Sequence, residues 1–269
     1  MYSRILVPVD GSDFSRQLIG PAAAVARGTG SELALLRIVE RSDDHAQAAQ
    51  QLQQLAAPLG AKALCESASA EGVAAAIRDE ARRVPGTLVA MCSHGRSGAM
   101  QAVFGSVALQ VLRALGEPMV VYRPSADGPP ALSKVERIVL PLDGSALSES
   151  ITPQAVELAK WLGARIVVVS VIEPASRLDA QVPAGDVQEA GYVHARAREI
   201  KERYGIKDVG WEVLHGDPGV AIPSFVRSLG DAMLAMSTHG HTGLRGMMAG
   251  SVTAQCLRDA RVPVFVRLP

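Results

Sequence analysis

Short apolar runs alternate with segments rich in alanine and charged residues along the first half of the chain. The apolar runs have the composition of strands that are buried on both faces, and they are Ile5 to Val9, Leu33 to Val39, Leu88 to Met91 and Met119 to Tyr122. The intervening segments, such as Ser15 to Arg27 and Val73 to Arg83, have the composition of helices. This alternation predicts βαβ units and a parallel sheet.

The second half of the chain repeats the first. Arg4 to Ser12 (RILVPVDGS) is matched 133 positions later by Arg137 to Ser145 (RIVLPLDGS). Towards the end of each half the offset is 145, and we attribute the extra residues to a charged, helix-like stretch from Val187 to Lys201. A repeat this long predicts two complete domains, 1–124 and 135–269, joined by a linker at 125–134 that is rich in Pro, Gly and Ser. We expect each to be a doubly wound α/β domain, with a five-stranded parallel sheet of order 3-2-1-4-5 flanked by helices.

A loop of one design follows the fourth predicted strand in each half. It reads Ser93-His94-Gly95, nine residues, Gly105-Ser106 in the first half, and Thr238-His239-Gly240, nine residues, Gly250-Ser251 in the second. In both halves the second part of the loop opens a segment that looks helical. The repeat therefore includes the structural setting of the loop.

An aspartate, Asp10 or Asp143, ends the first predicted strand of each half. In the order 3-2-1-4-5, strands 1 and 4 are neighbours where the winding direction reverses, which is where ligands bind in such sheets. The N-terminus of the helix after the loop favours an anion there by about 0.3–1 kcal/mol. Glycine allows close approach of the backbone to a phosphate, and serine adds a donor. The pattern predicts a nucleotide cradle in each half.

The loops resemble the glycine pattern of the universal stress proteins, Gly-x-x-Gly, nine residues, Gly-Ser/Thr, and the Pro-x-Asp that ends strand 1 is similar to theirs. The resemblance covers both halves, so it implies a tandem universal stress protein that binds ATP, with or without Mg²⁺. It implies that the aspartate lies by the nucleoside, that a strand-2 residue contacts adenine through its backbone, and that the glycine-serine segment holds the phosphates. The implied nucleotide-binding residues are Asp10, Ile38, Gly95, Gly105, Ser106 and Val107 in the first half, and Asp143, Val171, Ser237, Gly240, Gly250, Ser251 and Val252 in the second.

The chain departs from the family pattern at its first glycine, where it has Cys92 and Ser237. If this position requires a positive φ, a side chain there costs about 1–2 kcal/mol. A serine hydroxyl can donate to a phosphate oxygen, whereas a thiol is a weak donor. The second half also keeps the family's Gly-x-Pro turn after strand 3, at Gly216 to Pro218. If only one half binds nucleotide, we therefore expect it to be the second.

These residues also have structural explanations. A glycine-serine pair often caps a helix, and Asp10 and Asp143 could cap the helices that follow them. The loop histidines fit hydrogen bonding within the loop better than catalysis. His241 suggests a metal ligand, but Arg96 occupies the matching position of the first half, so we expect no metal site.

Composition indicates which partners and which cellular compartment to expect for the protein. Basic and acidic residues are equal at 27, which predicts neither a nucleic-acid surface nor an attraction to anionic membranes. The three cysteines are far apart in sequence, as is usual in a reducing compartment. No apolar run approaches the roughly 18 residues of a membrane span, and the first strand begins near Arg4. We expect a cytoplasmic protein without a signal peptide.

Three classes of function fit these features. The leading one is an ATP-binding stress-response or regulatory protein, whose nucleotide occupancy sets its conformation or its binding of an unknown protein partner. The second is a slow ATPase. In the family geometry the aspartates lie nearer the nucleoside than the γ-phosphate, so we assign no catalytic residue and expect weak hydrolysis at most. The third is an interaction module of the same fold that does not bind nucleotide.

The fifth predicted strands, Met119 to Tyr122 and Val264 to Val266, are apolar edge strands. A bare edge invites pairing, and in the resembled family this strand commonly makes the dimer contact. We expect the two halves to pair through these strands within one chain, and a further homodimer of chains stays open. Small-angle scattering that showed two separated lobes would contradict the internal pairing.

Overall fold

The computed structural model describes residues 1–40, 44–94, 104–125, 128, 134–173, 184–238 and 250–268, with residues 184–187 as backbone only. The chain divides into two compact units, Met1–Lys134 and Val135–Arg267, which we call the first and second domains. The predicted linker lies largely outside the described residues, and its boundaries stay a prediction. Ser125, at its start, exchanges hydrogen bonds of 2.7 and 3.0 Å with the side chain of Gln17.

The first domain has a five-stranded parallel sheet of order β3-β2-β1-β4-β5. Its strands are β1 Arg4–Pro8, β2 Glu32–Val39, β3 Lys62–Ser67, β4 Thr87–Cys92 and β5 Met119–Tyr122. Its helices are α1 Asp13–Arg16, α2 Ile19–Thr29, α3 His45–Ala56, α4 Val73–Arg83 and α5 Ser106–Leu115, with a 3-10 turn at Ala57–Leu59.

The second domain repeats this order as β8-β7-β6-β9-β10. Its strands are β6 Arg137–Pro141, β7 Arg165–Ile172, β8 Val209–His215, β9 Ala232–Ser237 and β10 Val264–Arg267. Its helices are α6 Ala146–Glu149, α7 Thr152–Leu162, α8 Ala184–Tyr204, α9 Pro218–Leu229 and α10 Ser251–Asp259. The predicted fold and strand order are confirmed, and most of the extra residues of this half lie in α8, which is 21 residues long against 12 for α3.

One predicted helix is two helices in the structure. The segment from Ser15 to Arg27 is divided between α1 and α2, and the second domain has the same division between α6 and α7. Proline explains the break, because Pro21 and Pro153 have no N–H to donate to the preceding turn and therefore lie in the first turn of a new helix.

Apolar side chains bury the central strands of each sheet. All five residues of β1 are buried, and so are Leu33 to Leu36 of β2. In the second domain the side chains of Ile138, Leu140 and Ile166 are fully buried. Strands that are buried on both faces leave only their carboxyl ends for contact with solvent and ligands.

An ion pair also lies inside the first domain. Arg4 Nη1 donates to Glu80 Oε1 at 2.7 Å, and both side chains are at most 5% exposed. Arg4 also donates to the carbonyl oxygen of Glu80 at 2.7 Å and to Thr87 Oγ1 at 2.9 Å. This network fixes α4 against β1, next to the strands that carry the candidate site.

Candidate functional site

Asp10 follows β1 and organises the turn into α1. Its Oδ1 accepts hydrogen bonds from the Ser12 N–H (2.9 Å) and the Ser12 hydroxyl (2.6 Å). Ser12 is the N-cap of α1 and accepts from the Ser15 N–H. The buried Ser15 hydroxyl closes the turn by donating to the carbonyl oxygen of Ser12 and accepting from the Asp10 N–H. The position of the carboxylate is therefore fixed by the turn itself.

Asp143 makes the same turn in the second domain. Its Oδ1 accepts from the Ser145 N–H at 3.0 Å and the Ser145 hydroxyl at 2.6 Å, and Ser145 caps α6. Ser148 occupies the place of Ser15. The alternative that the aspartates cap these helices is wrong, because in both domains a serine is the cap and the aspartate orients it.

At Gly105 the end of the loop lies against the residue that follows β4. Its N–H donates to the carbonyl oxygen of Ser93 at 2.7 Å, and a Cβ added to Gly105 would lie 2.6 Å from that oxygen. In the second domain Gly250 donates to the carbonyl oxygen of Thr238 at 2.6 Å. Glycine is required at Gly105 by the close approach of two backbone segments, which is a structural reason independent of any ligand.

The helices that follow begin without a side-chain cap. Gly105 and Gly250 are the N-caps of α5 and α10, and neither helix has a side-chain hydrogen bond at its N-cap. Ser106 and Ser251 are the first helical residues and are exposed. The first-turn amides of an α-helix have no partner within the helix, so each N-terminus presents donors and a partial positive charge to its cavity.

Each domain has one cavity where these elements meet. The first has a volume of about 740 Å³, and the predicted residues that line it are Asp10, Ile38, Gly105, Ser106 and Val107. The second has a volume of about 370 Å³, and the predicted residues that line it are Asp143, Val171, Ser237, Gly250, Ser251 and Val252. Gly95 and Gly240 lie outside the described residues. Both volumes fall in the range of small-molecule sites, about 300–1,000 Å³.

The departures from the family glycine leave the backbone unstrained. Cys92 and Ser237 are the last residues of β4 and β9, and among the described non-glycine residues only Arg261 has a positive φ. Burial raises the pKa of the Cys92 thiol to about 12, so it stays protonated at neutral pH. Cys92 is therefore a packed side chain and not a nucleophile.

His94 is buried, and its Nδ1 lies 2.9 Å from the hydroxyl of Ser93. This contact agrees with the predicted hydrogen bonding within the loop. His239 and His241, the other histidines of the sequence pattern, lie outside the described residues. No group of three or more His, Cys, Asp or Glu side chains that could hold a metal ion occurs in the described part of the chain.

Two side chains that sequence reasoning missed cover the strand-1 turns. In the first domain Arg37 of β2 lies over Gly11, where an added Cβ would be 2.7 Å from Arg37 Nη1. In the second domain the turn is covered by Tyr192 of α8, whose hydroxyl accepts from the Gly144 N–H at 3.1 Å. An alignment of the two halves could have drawn attention to Arg37, because the residue that matches this arginine 133 positions later is the uncharged Ser170.

Tyr192 belongs to a polar cluster that ties α8 to α6. Its hydroxyl donates to Glu149 Oε1 at 2.9 Å, and Arg196 Nε lies 3.1 Å from the same carboxylate oxygen. Burial and the neighbouring Glu149 raise the pKa of the Tyr192 hydroxyl, so it is a neutral donor at physiological pH. The longer α8 therefore supplies contacts to this turn that the described residues of α3 do not make in the first domain.

Comparisons with known proteins agree with the fold and the repeat. The sequence profile of the universal stress protein family matches residues 1–123 and again 134–267. A universal stress protein of Methanocaldococcus jannaschii is 28% identical over 141 residues, which are 49% of this chain and 81% of the relative. One of Mycobacterium tuberculosis is 28% identical over 182 residues, which are 66% of this chain but only 61% of the longer relative.

A crystal structure extends the likeness to the whole chain. A universal stress protein from Archaeoglobus fulgidus has a TM-score of 0.71 and 20% sequence identity, and the match covers 100% of this chain and 99% of that one. At this identity the likeness concerns the fold. None of the helices in the described ranges combines the length and hydrophobicity needed to cross a bilayer.

Proposed function

The chain belongs to the universal stress protein family and contains two domains of that family, and from this premise we propose that it is an ATP-binding regulatory protein of the stress response. Each domain would bind an adenine nucleotide in its cavity, and occupancy would set the conformation of the chain or its binding of a protein partner. The family glycine pattern and the geometry of the two cavities support this proposal.

The observation that carries the proposal is the arrangement around α5. The helix begins at a glycine without a side-chain cap, its first turn lines the cavity, and Asp10 lines the same cavity at the end of β1. Such a helix N-terminus suits phosphate oxygens, which accept hydrogen bonds from amides and carry negative charge. A carboxylate held in a fixed position suits the hydroxyls of a ribose, which donate. The second domain repeats the arrangement around α10.

Hydrolysis is not part of the proposal. In Asp10 and in Asp143, Oδ1 accepts two hydrogen bonds within the turn. These bonds hold the carboxylates at the ends of β1 and β6. The described residues around the cavities supply no cluster of metal ligands, so a Mg²⁺ ion would be held through the phosphates of the nucleotide. We also propose a cytoplasmic location, because the three cysteines are free thiols.

Aspartate in place of Ser106 and Ser251 tests the site without disturbing the fold. Both serines are exposed first residues of helices, where a negative charge stabilises the helix by about 0.3–1 kcal/mol. The double variant Ser106→Asp and Ser251→Asp should therefore melt at or slightly above the wild-type temperature without ligand. It should lose the rise in melting temperature that millimolar ATP gives the wild type, because the carboxylates repel the phosphates.

The matched control is Ser106→Asn with Ser251→Asn, which has the same shape without the charge and should keep most of the rise. A ligand at 100 times its Kd stabilises the native state by about 2.7 kcal/mol, which a melting curve resolves. A wild-type protein that gains no stability from millimolar ATP would support the interaction module instead. An unchanged rise in the aspartate variant would place the phosphates elsewhere.

A further inference from the structure

The two cavities differ in charge at one matched position of the second strand. In the first domain Arg37 of β2 lines the cavity, next to Ile38. In the second domain Ser170 of β7 takes this place, next to Val171, and it is only 3% exposed. An arginine stays charged at any physiological pH, so one cavity contains a permanent cation where the other has a neutral hydroxyl.

The Arg37 side chain is held at the edge of the cavity. Nη1 lies 3.5 Å from the carbonyl oxygen of Val9, and the guanidinium lies against Gly11, where a Cβ would come within 2.7 Å of Nη1. Gly11 has a φ of +84°, so this turn both requires glycine and leaves room for the arginine. The backbone of Val9 and Gly11 thus holds the cation in the cavity that Asp10 also lines.

The remaining charges of the two cavities are similar. Asp10, Glu40 and Asp44 line the first cavity, as does the buried His94. Asp143, Glu173 and Glu189 line the second, whose described lining residues include no lysine, arginine or histidine. Arg196 of α8 pairs with Glu149 and Glu199 and is not part of the lining. Three carboxylates disfavour a phosphate, and among the described lining residues of this cavity no cation opposes them.

We propose that Arg37 is a specificity-determining residue, which makes the first domain select phosphorylated over unphosphorylated adenine ligands more strongly than the second domain does. This inference rests on the proposed nucleotide function of the same cavity. A guanidinium in the cavity that the N-terminus of α5 also lines attracts the negative charge of phosphates, whereas a neutral nucleoside gains little from it. For anionic ligands, Arg37 therefore favours the first domain. The sequence alone predicts the opposite order, because Ser237 favours the second domain.

Calorimetric titration of the full chain with adenosine, AMP and ATP tests the inference. Ser251→Asp repels phosphates and Asp143→Ala removes the carboxylate proposed to hold the ribose, so together they disable the second site for all three ligands, and binding in that background reports the first domain alone. There Arg37→Ser, which introduces the residue of the second domain, should weaken ATP binding roughly tenfold and adenosine binding less than twofold. Arg37→Lys, which keeps the charge, should retain part of the preference for ATP. In the matching background of Asp10→Ala with Ser106→Asp, where only the second site binds, Arg37→Ser should change nothing.

The outcomes separate the two proposals. If the wild type binds none of the three ligands, the nucleotide function fails. If it binds them and Arg37→Ser weakens adenosine and ATP equally, Arg37 shapes the cavity and does not select charge, so the inference is wrong. An unchanged affinity for ATP overturns it as well. Arg37→Met, which keeps the apolar stem without the charge, replaces Arg37→Ser if the serine variant does not fold.

Discussion

Replacement of Glu80 by leucine is expected to lower the free energy of unfolding of the first domain by about 3–5 kcal/mol. Arg4 and Glu80 are buried together, and the Glu80 carboxylate is 2.7 Å from Arg4 Nη1. Leucine removes the carboxylate and leaves the guanidinium of Arg4 inside the protein without its opposite charge. The cost arises mainly from that uncompensated charge and not from the attraction that is lost.

Hydrogen exchange measured by mass spectrometry checks this prediction, because it reports local stability in peptides from β1 and α4. Glu71→Leu is the matched control, since Glu71 pairs with Arg78 at 3.1 Å on the surface, and such pairs contribute about 0–1 kcal/mol. The double variant Arg4→Met with Glu80→Leu should recover most of the loss, because it removes both charges. A single variant that exchanges like the wild type would show that Arg4 finds another partner or water.

The repeat made the fold predictable. Continuous apolar runs identified four of the five strands of the first domain, and the alternating helical segments indicated a parallel sheet of order 3-2-1-4-5. The edge strand β3 has no continuous apolar run, because its residues are half-buried or exposed. The break between α1 and α2 could also have been predicted, since both domains have a proline in the first turn of the second helix, Pro21 and Pro153. It was missed because composition alone does not mark where a helix restarts.

The candidate site was predictable only where the two halves agree. Asp10 and Asp143 build the same turn, and the glycine-serine pairs open the same helices. Arg37 was missed because a charged residue in a predicted strand is usually a solvent-exposed one, and its place over Gly11 depends on the path of a neighbouring strand. Tyr192 depends on the packing of α8, a helix that has extra turns only in the second domain.

These differences have a common physical basis. Both domains keep the backbone that forms the cavity, since the turn after strand 1 and the close approach of Gly105 or Gly250 to strand 4 are alike. They differ in the side chains laid over that backbone, which are Arg37 in one domain and Tyr192 in the other. A duplicated domain can change its ligand preference in this way without altering the elements that keep it folded.

Replacement of Gly105 by serine is expected to destabilise the first domain by roughly 1–3 kcal/mol, the usual cost of an overpacked site. Whether this variant gains or loses stability separates two explanations of the glycine. Gly105 is an N-cap with φ −66° and ψ 159°, a conformation open to any residue, and at N-caps serine is preferred over glycine by a few tenths of a kcal/mol. Capping alone therefore predicts a slight gain. The close approach predicts a loss, because the new Cβ would lie 2.6 Å from the carbonyl oxygen of Ser93.

Urea unfolding followed by circular dichroism decides between the two explanations of this glycine. Gly105→Val should be at least as unstable as the serine variant, since it adds a branched side chain at the same contact. Gly28→Ala is the control of opposite sign, because Gly28 lies in α2 with nothing within 4 Å of an added Cβ, and alanine there should stabilise by about 0.5–1 kcal/mol. If Gly105→Ser is as stable as the wild type, the loop can withdraw from β4, and the backbone approach is not the reason that this position requires glycine.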